Sequence, residues 1–269
     1  MSTPSVQLYS VRDAIDENLD AAVARVAEIG LTQVEPYAFH LRTAEFARAF
    51  AASGITAPSG HAPVIDADDP AVIFDAAAEL GMTTVIDPFI PTDRWQTADD
   101  ARRLAEAVNA LAEQAANRGL QFGYHNHQWE FTKKVDGRPI YELFVEQLEP
   151  GVKLEVDTFW ATVGGADTPA VLRSLGDRVA AIHVKDGRIT GDIATVLPSS
   201  ESALVVPEAL KAAFENQTPA GQGDIDVHAI LRAAPQALRV IEFDAYKGDV
   251  FDGIAQSFAW LNENDTAAS

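Results

Sequence analysis

Short runs rich in Val, Ile, Leu and aromatic residues alternate along the chain with longer, alanine-rich stretches whose apolar positions recur every three to four residues. The first run, Val6 to Ser10, precedes Asn18 to Ile29, where Leu19, Val23, Val26 and Ala27 share one helical face and Gly30 suits a C-terminal cap. Gln33 to Tyr37 leads to a helix around Ala44 to Ala52 stopped by Gly54, Ala57 to Ala62 to one from Pro70 to Leu80, and Thr83 to Phe89 to one from Ala98 to Arg118. In the second half, Leu120 to His127 is followed by Tyr141 to Leu148, and Val152 to Trp160 by Ala170 to Leu175. Val179 to Lys185 precedes Val227 to Ala233, and Arg239 to Tyr246 precedes a last helix near Phe251 to Asn262. Eight strand–helix units in 269 residues predict an α/β chain folded as a single (β/α)₈ TIM barrel over residues 1–269. A doubly wound open sheet is the rival, but it usually carries a glycine-rich phosphate loop, and neither GxGxxG nor GxxxxGK[ST] occurs. The stretch from Arg188 to Gly223 is too long for an ordinary connection. It is expected to form an elaborated loop with a short helix near Pro207 to Asn216, emerging as a lid at the catalytic end.

Composition narrows the chemistry. The 20 Lys+Arg against 40 Asp+Glu give a formal charge of −20, which repels phosphate backbones and anionic lipid and argues against nucleic acid as a partner. Without cysteine there is no disulfide, no thiolate nucleophile and no cysteine-ligated metal, so any ion must sit on His, Asp, Glu or water. No apolar run approaches the roughly 18 residues of a membrane span, and Met1 to Val6 lack a secretory pattern, so a soluble, cytoplasmic protein is expected.

In a barrel of this kind, chemistry gathers where the carboxyl ends of the strands converge. The later runs end in YHNH (Tyr124 to His127), LEVD (Leu154 to Asp157), IHVKD (Ile182 to Asp186) and VIEFD (Val240 to Asp244). A charge inside a barrel costs several kcal/mol unless paired or metal-bound, and such groups on four successive strands point to a site. Asp157, His183 and Glu242 supply oxygen and nitrogen donors for Mn²⁺, Mg²⁺, Co²⁺ or Zn²⁺, with His125 the natural fourth ligand. His127, two positions on, is assigned to substrate contact or proton transfer. Lys185 shares the side of His183 and is suited to polarising a carbonyl, although a salt bridge to Asp157 or Glu155 would explain it equally well. Glu35 and His61 are further rim candidates, for substrate contact and, in the case of His61, proton exchange; their structural alternatives are an ion pair and a loop-capping hydrogen bond. Trp160 offers an apolar face on which ligand C–H groups can stack, with core packing as its alternative.

The series YHNHQWEF, LEVDTFW, IHVKDG and VIEFD, with VQLYSVRD at the start and GQGDID late in the chain, resembles the xylose isomerase-like TIM-barrel superfamily of sugar isomerases and epimerases. The resemblance spans Val6 to Leu261. It implies a divalent metal held by Glu, Asp, His and Glu from the fifth to eighth strands; Asp157, His183 and Glu242 match, whereas His125 stands where many epimerases have a glutamate. It also places Gln222 near the mouth as a substrate contact. Loss of one carboxylate disfavours a symmetric two-glutamate epimerase and leaves Glu242, His127 or another rim group to move the proton.

The leading expectation is a divalent-metal-dependent sugar isomerase/epimerase that abstracts a proton next to a carbonyl of a sugar, keto-sugar or cyclitol, with Mn²⁺ preferred and Co²⁺, Zn²⁺ or Mg²⁺ also suitable. A lyase of the same superfamily, a dehydratase or one eliminating from a 3-keto-glycoside, is the alternative. A noncatalytic sugar-binding or partner subunit is a third reading, and homo-oligomerisation is compatible with all three. Few Arg or Lys stand near the proposed mouth, which favours a plain over a phosphorylated sugar.

Overall fold

The computed structural model describes residues 3–189 and 214–265. Seven parallel strands pair in the order β1 (Ser5–Val6), β11 (Leu238–Ile241), β8 (Val179–Val184), β7 (Lys153–Asp157), β4 (Gln121–His125), β3 (Thr84–Asp87) and β2 (Ser59–His61). Residues 33–37 close the ring. Gln7 bridges Glu35, and Gln33 and Tyr37 bridge Thr56 and His61, all parallel. Leu8 N donates to Glu35 O at 2.8 Å, and His61 N to Pro36 O at 2.8 Å. The result is a single (β/α)₈ barrel. Its second segment forms isolated bridges rather than the continuous strand expected there, since Pro36 has no N–H to give the ladder. The small ladders β5 (Lys134–Val135) with β6 (Arg138–Pro139) and β9 (Asp186–Gly187) with β10 (Gln217–Thr218) lie outside the ring.

The helices are α1 (Arg12–Ile29), α2 (Thr43–Ser53), α3 (Pro70–Glu79), α4 (Ala98–Ala116), α5 (Trp129–Thr132), α6 (Ile140–Val145), α7 (Thr158–Val163), α8 (Thr168–Leu175), α9 (Val227–Ala233) and α10 (Val250–Asn264). In α1 the backbone breaks helical geometry at Asn18, whose Oδ1 accepts from Ala21 N at 3.1 Å, so the expected start at Asn18 marks a kink with its own cap. Helix α7 interrupts what reads in sequence as strand: Asp157 caps it through Trp160 N at 2.8 Å, ending β7 three residues before Trp160, while α5 falls after His127 where no element is expected. β11 likewise stops at Ile241 rather than at Tyr246, because Phe243 N and Asp244 N bond the side chains of Ser10 and Gln217 instead of a neighbouring strand. The expected helix near Pro207 to Asn216 and most of the Arg188 to Gly223 loop lie outside the described residues. No helix among the described residues is long and apolar enough to cross a membrane.

Strand alternation divides the barrel into two environments. Outward residues such as Val85, Phe122, Leu154, Val156, Ile182 and Ile241 are buried in apolar packing beneath the helices. Arg239 is a polar exception, fully buried, donating to the carbonyls of Leu231, Ala234 and Ala237 and to Asp265. The inward series is polar instead, with Gln7, Glu35, Ser59, His61, His125, Glu155, Asp157, His183, Lys185 and Glu242 all buried. Gly123, two residues before His125, lets β7 approach β4 closely: a Cβ there would lie 2.6 Å from Lys153 O and 2.8 Å from Ile86 Cδ1.

Candidate metal and active site

The inward polar side chains form two clusters that share His183. The upper one faces a cavity of about 690 Å³ at the carboxyl ends of the strands. Asp157, His183 and Glu242 each bring one donor atom within 4.8 Å of the others, and His183 Nδ1 lies 2.5 Å from Glu242 Oε2. Between the carboxylates sits the Lys185 ammonium, 2.6 Å from Glu242 Oε2, 2.9 Å from Asp157 Oδ2 and 3.0 Å from Asp244 Oδ2. Asp244 is fixed in turn by Gln217 Nε2 at 2.6 Å and Trp160 Nε1 at 3.2 Å.

The lower cluster reaches one layer deeper into the barrel. Glu155 Oε2 meets His61 Nε2 at 2.5 Å, His125 Nδ1 at 3.1 Å and His183 Nε2 at 3.1 Å. Glu35 lies alongside, accepting from Gln7 Nε2 at 2.9 Å and from Ser59 Oγ, with His183 Nε2 2.9 Å away. His125 links the two levels, its Nε2 being 3.8 Å from Asp157 Oδ2.

These contacts set the charges of the site. For His61, burial disfavours the imidazolium, but Glu35 and Glu155 outweigh it and push the pKa up to about 10. His183 is also raised, against burial, by Glu155 and Glu242. Burial and the charge of Glu35 oppose ionisation of Glu155, yet the surrounding histidines bring it down to about 2. Asp157 is raised to about 6 by burial, which prevails over the attraction of Lys185. Burial and then the Lys185 charge lower His127 to about 3, leaving it neutral. His127 is stacked on Trp129 with ring centres 4.2 Å apart.

The sequence-assigned residues are therefore brought together to different degrees. His61, His125, His127, Trp160, Lys185 and Glu242 line the cavity. Asp157 and His183 lie beneath it, fully buried and behind the lining residues Lys185 and Glu242. His125 is nearer the lower cluster than the upper, so the expected quartet of His125, Asp157, His183 and Glu242 is not drawn to a single point. Glu35 is buried beneath the cavity, not at the rim, and its partners are histidines rather than an arginine. Gln222 is exposed and donates to Gln256 on α10, away from the cavity lining. Its neighbour Gly223 has a packing reason: a Cβ there would lie 2.3 Å from Gly187 N, and the Gly223 N–H reaches Asp186 Oδ2 at 2.9 Å. Glu155, Ser59 and Gln7 are site residues that carry no motif of their own. Counting back by two from Asp157 and His61 would have found Glu155 and Ser59 on the same inner face.

The donors suit a divalent cation. Asp157 Oδ2 faces Lys185 without hydrogen-bond geometry and Glu155 Oε1 has no hydrogen-bond partner among the described residues, so each cluster has a buried carboxylate oxygen to offer, and in the upper one an ammonium already stands among the carboxylates.

Residues 13–263 match the family model described as xylose isomerase-like TIM barrel, and the chain belongs to that family. No curated protein matches the sequence. Among solved structures, a sugar phosphate isomerase/epimerase from Parabacteroides distasonis is similar with a TM-score of 0.74 and 21% identity over 100% of this chain and 96% of its own. The IOLI protein, with a bound zinc atom, has a TM-score of 0.70 and 15% identity, with 99% and 98% covered. The probable 3-DHS dehydratase AsbF from Bacillus anthracis has a TM-score of 0.69 and 12% identity, with 97% and 98% covered.

Proposed function

We propose that the chain is a divalent-metal-dependent isomerase or epimerase that moves a proton next to a carbonyl of a sugar, keto-sugar or cyclitol. The observation that carries this reading is the convergence of Asp157, His183 and Glu242 at the floor of a cavity whose walls include Phe89, Trp129 and Trp160. In it, Asp157, His183 and Glu242, with His125 as fourth ligand, would hold one ion, Mn²⁺ by preference given the oxygen donors, and that ion would supply Lewis-acid polarisation of the substrate carbonyl. Glu242 takes the proton from the adjacent carbon. Lys185, released from the carboxylates, neutralises the oxyanion that develops. His61, on the cavity wall and held protonated by Glu35 and Glu155, delivers a proton to the carbon skeleton, neutral His127 contacts the substrate, and the aromatic faces hold the apolar side of the ring and keep water out.

Elimination is the second reading, favoured by one observation: the cavity pairs Glu242 with a lysine 2.6 Å away, a base and an acid of different kinds rather than two equivalent carboxylates. Incubating the purified chain with a panel of keto-sugars and cyclitol ketones in deuterated water, with and without Mn²⁺, tests both. Metal-dependent deuterium incorporation is the expected result; an added ultraviolet enone band identifies elimination. No exchange with any member of the panel in the presence of Mn²⁺, Co²⁺, Zn²⁺ or Mg²⁺ contradicts the catalytic reading.

A further inference from the structure

The lower cluster has no part as a ligand set in the proposed reaction, yet its geometry is that of a cation site. Three imidazole nitrogens, from His61, His125 and His183, converge on one carboxylate oxygen of Glu155. The four donor atoms lie within 4.8 Å of one another, and no side chain in the set is more than 8% exposed. The ring centres are separated by 5.3 Å (His61–His125), 5.3 Å (His61–His183) and 4.6 Å (His125–His183). Three imidazoles bound tetrahedrally to one ion through nitrogens at about 2.1 Å have ring centres about 5 Å apart, so the rings already stand close to that arrangement. Glu155 Oε1, buried and without a hydrogen-bond partner, supplies the second indication that a ligand belongs here.

We propose that His61, His125, His183 and Glu155 form a zinc site beneath the upper cluster, distinct from the oxygen-rich seat around Asp157 and Glu242. Three nitrogens and one oxygen in a closed, tetrahedral shell suit Zn²⁺, whereas Mn²⁺ and Mg²⁺ favour the carboxylates above. Charge balances locally: Glu155 and the adjoining Glu35 neutralise a dication, and Gln7 and Ser59 fix Glu35 in place. His61 and His125 line the cavity, which gives the ion a route in. The two seats share His183 and compete for His125, so one chain holds one ion at a time. With zinc below, Lys185 remains on Asp157 and Glu242. The inference goes beyond the proposed reaction and does not depend on it.

The test is zinc affinity, read by competition with a chromophoric chelator on the full chain, together with the visible d–d spectrum of the Co²⁺-substituted protein. Wild type binds one Zn²⁺ and shows the intense bands of four-coordinate Co²⁺. His61→Ala and Glu155→Gln each weaken zinc on the order of 100-fold, since loss of a direct ligand costs at least as much as loss of an outer partner. Asp157→Asn changes it less than about threefold, because Asp157 only approaches His125, at 3.8 Å. Circular dichroism establishes that each variant is folded, and His61→Gln serves as a milder substitute for the alanine variant. Zinc lost in Asp157→Asn and kept in His61→Ala puts the ion in the upper cluster and overturns the inference while leaving the proposed function standing. No zinc bound by wild type overturns the inference outright, and manganese-dependent exchange then decides the function separately.

Discussion

Glu242→Gln is expected to lower turnover by about 10²–10⁴-fold, the usual contribution of a positioned general base, while weakening Mn²⁺ binding less than tenfold. The amide keeps a carbonyl oxygen to offer a cation but cannot accept a proton. Its size fits the space, so the loss is one of chemistry. Asp157→Ala and His183→Ala, by contrast, lose turnover and metal together, because Asp157 brings a carboxylate and His183 a nitrogen to the same point. Rates of deuterium exchange and Mn²⁺ titrations on the three variants check this split. Turnover near wild type in Glu242→Gln would move the base to His127 or His61.

Lys185→Met should produce the largest change in stability at this site. The Lys185 ammonium is within 3.0 Å of Asp157, Glu242 and Asp244 at once. Removing it leaves buried carboxylates facing one another, which typically costs about 3–5 kcal/mol. A divalent ion replaces the missing charge, so Mn²⁺ should raise the melting temperature of the variant more than that of wild type. The deficit also depends on pH. Asp157 is already raised to about 6 by burial, so between its ordinary value and that point the folded state binds more protons than the unfolded chain, and its contribution to stability falls as pH rises. Without Lys185 that window extends upward, and the variant should recover part of its deficit on acidification. Thermal melts at several pH values with and without Mn²⁺ measure both effects; a variant as stable as wild type without metal would show that Lys185 does not hold the carboxylates together.

Much of this arrangement is legible from the residues because a barrel strand announces itself twice, by its apolar outward positions and by the polar groups at its carboxyl end. The runs that carry His125, Asp157 and Lys185 place chemistry on neighbouring strands, and those strands are adjacent in the ring. Boundaries are less legible where a side chain takes over the backbone's hydrogen bonds. Asp157 has one carboxylate oxygen on Trp160 N and the other toward Lys185, so a residue that reads as a strand end also starts a helix. Depth is the hardest property to read. Glu35 reads as a rim residue because it follows an apolar strand residue in QVEPY, yet Gln7, Ser59 and His183 satisfy its carboxylate inside the barrel. The inward position of Glu155 is given by the parity of LEVD, but its role depends on His61, 94 residues earlier, which only the closed ring brings to it. Gln222 illustrates the converse: Gly223 is fixed by the tight packing around Asp186, and the glutamine between the glycines turns outward.

Anomalous diffraction from manganese-loaded crystals, recorded at the manganese edge, tests the central claim most directly. The account predicts one peak at the floor of the cavity, about 2.0–2.3 Å from donor atoms of Asp157, His183 and Glu242, with His125 completing the set and the Lys185 ammonium moved off Asp157 and Glu242. A map with no peak there, and Lys185 still lodged between the two carboxylates, would contradict it.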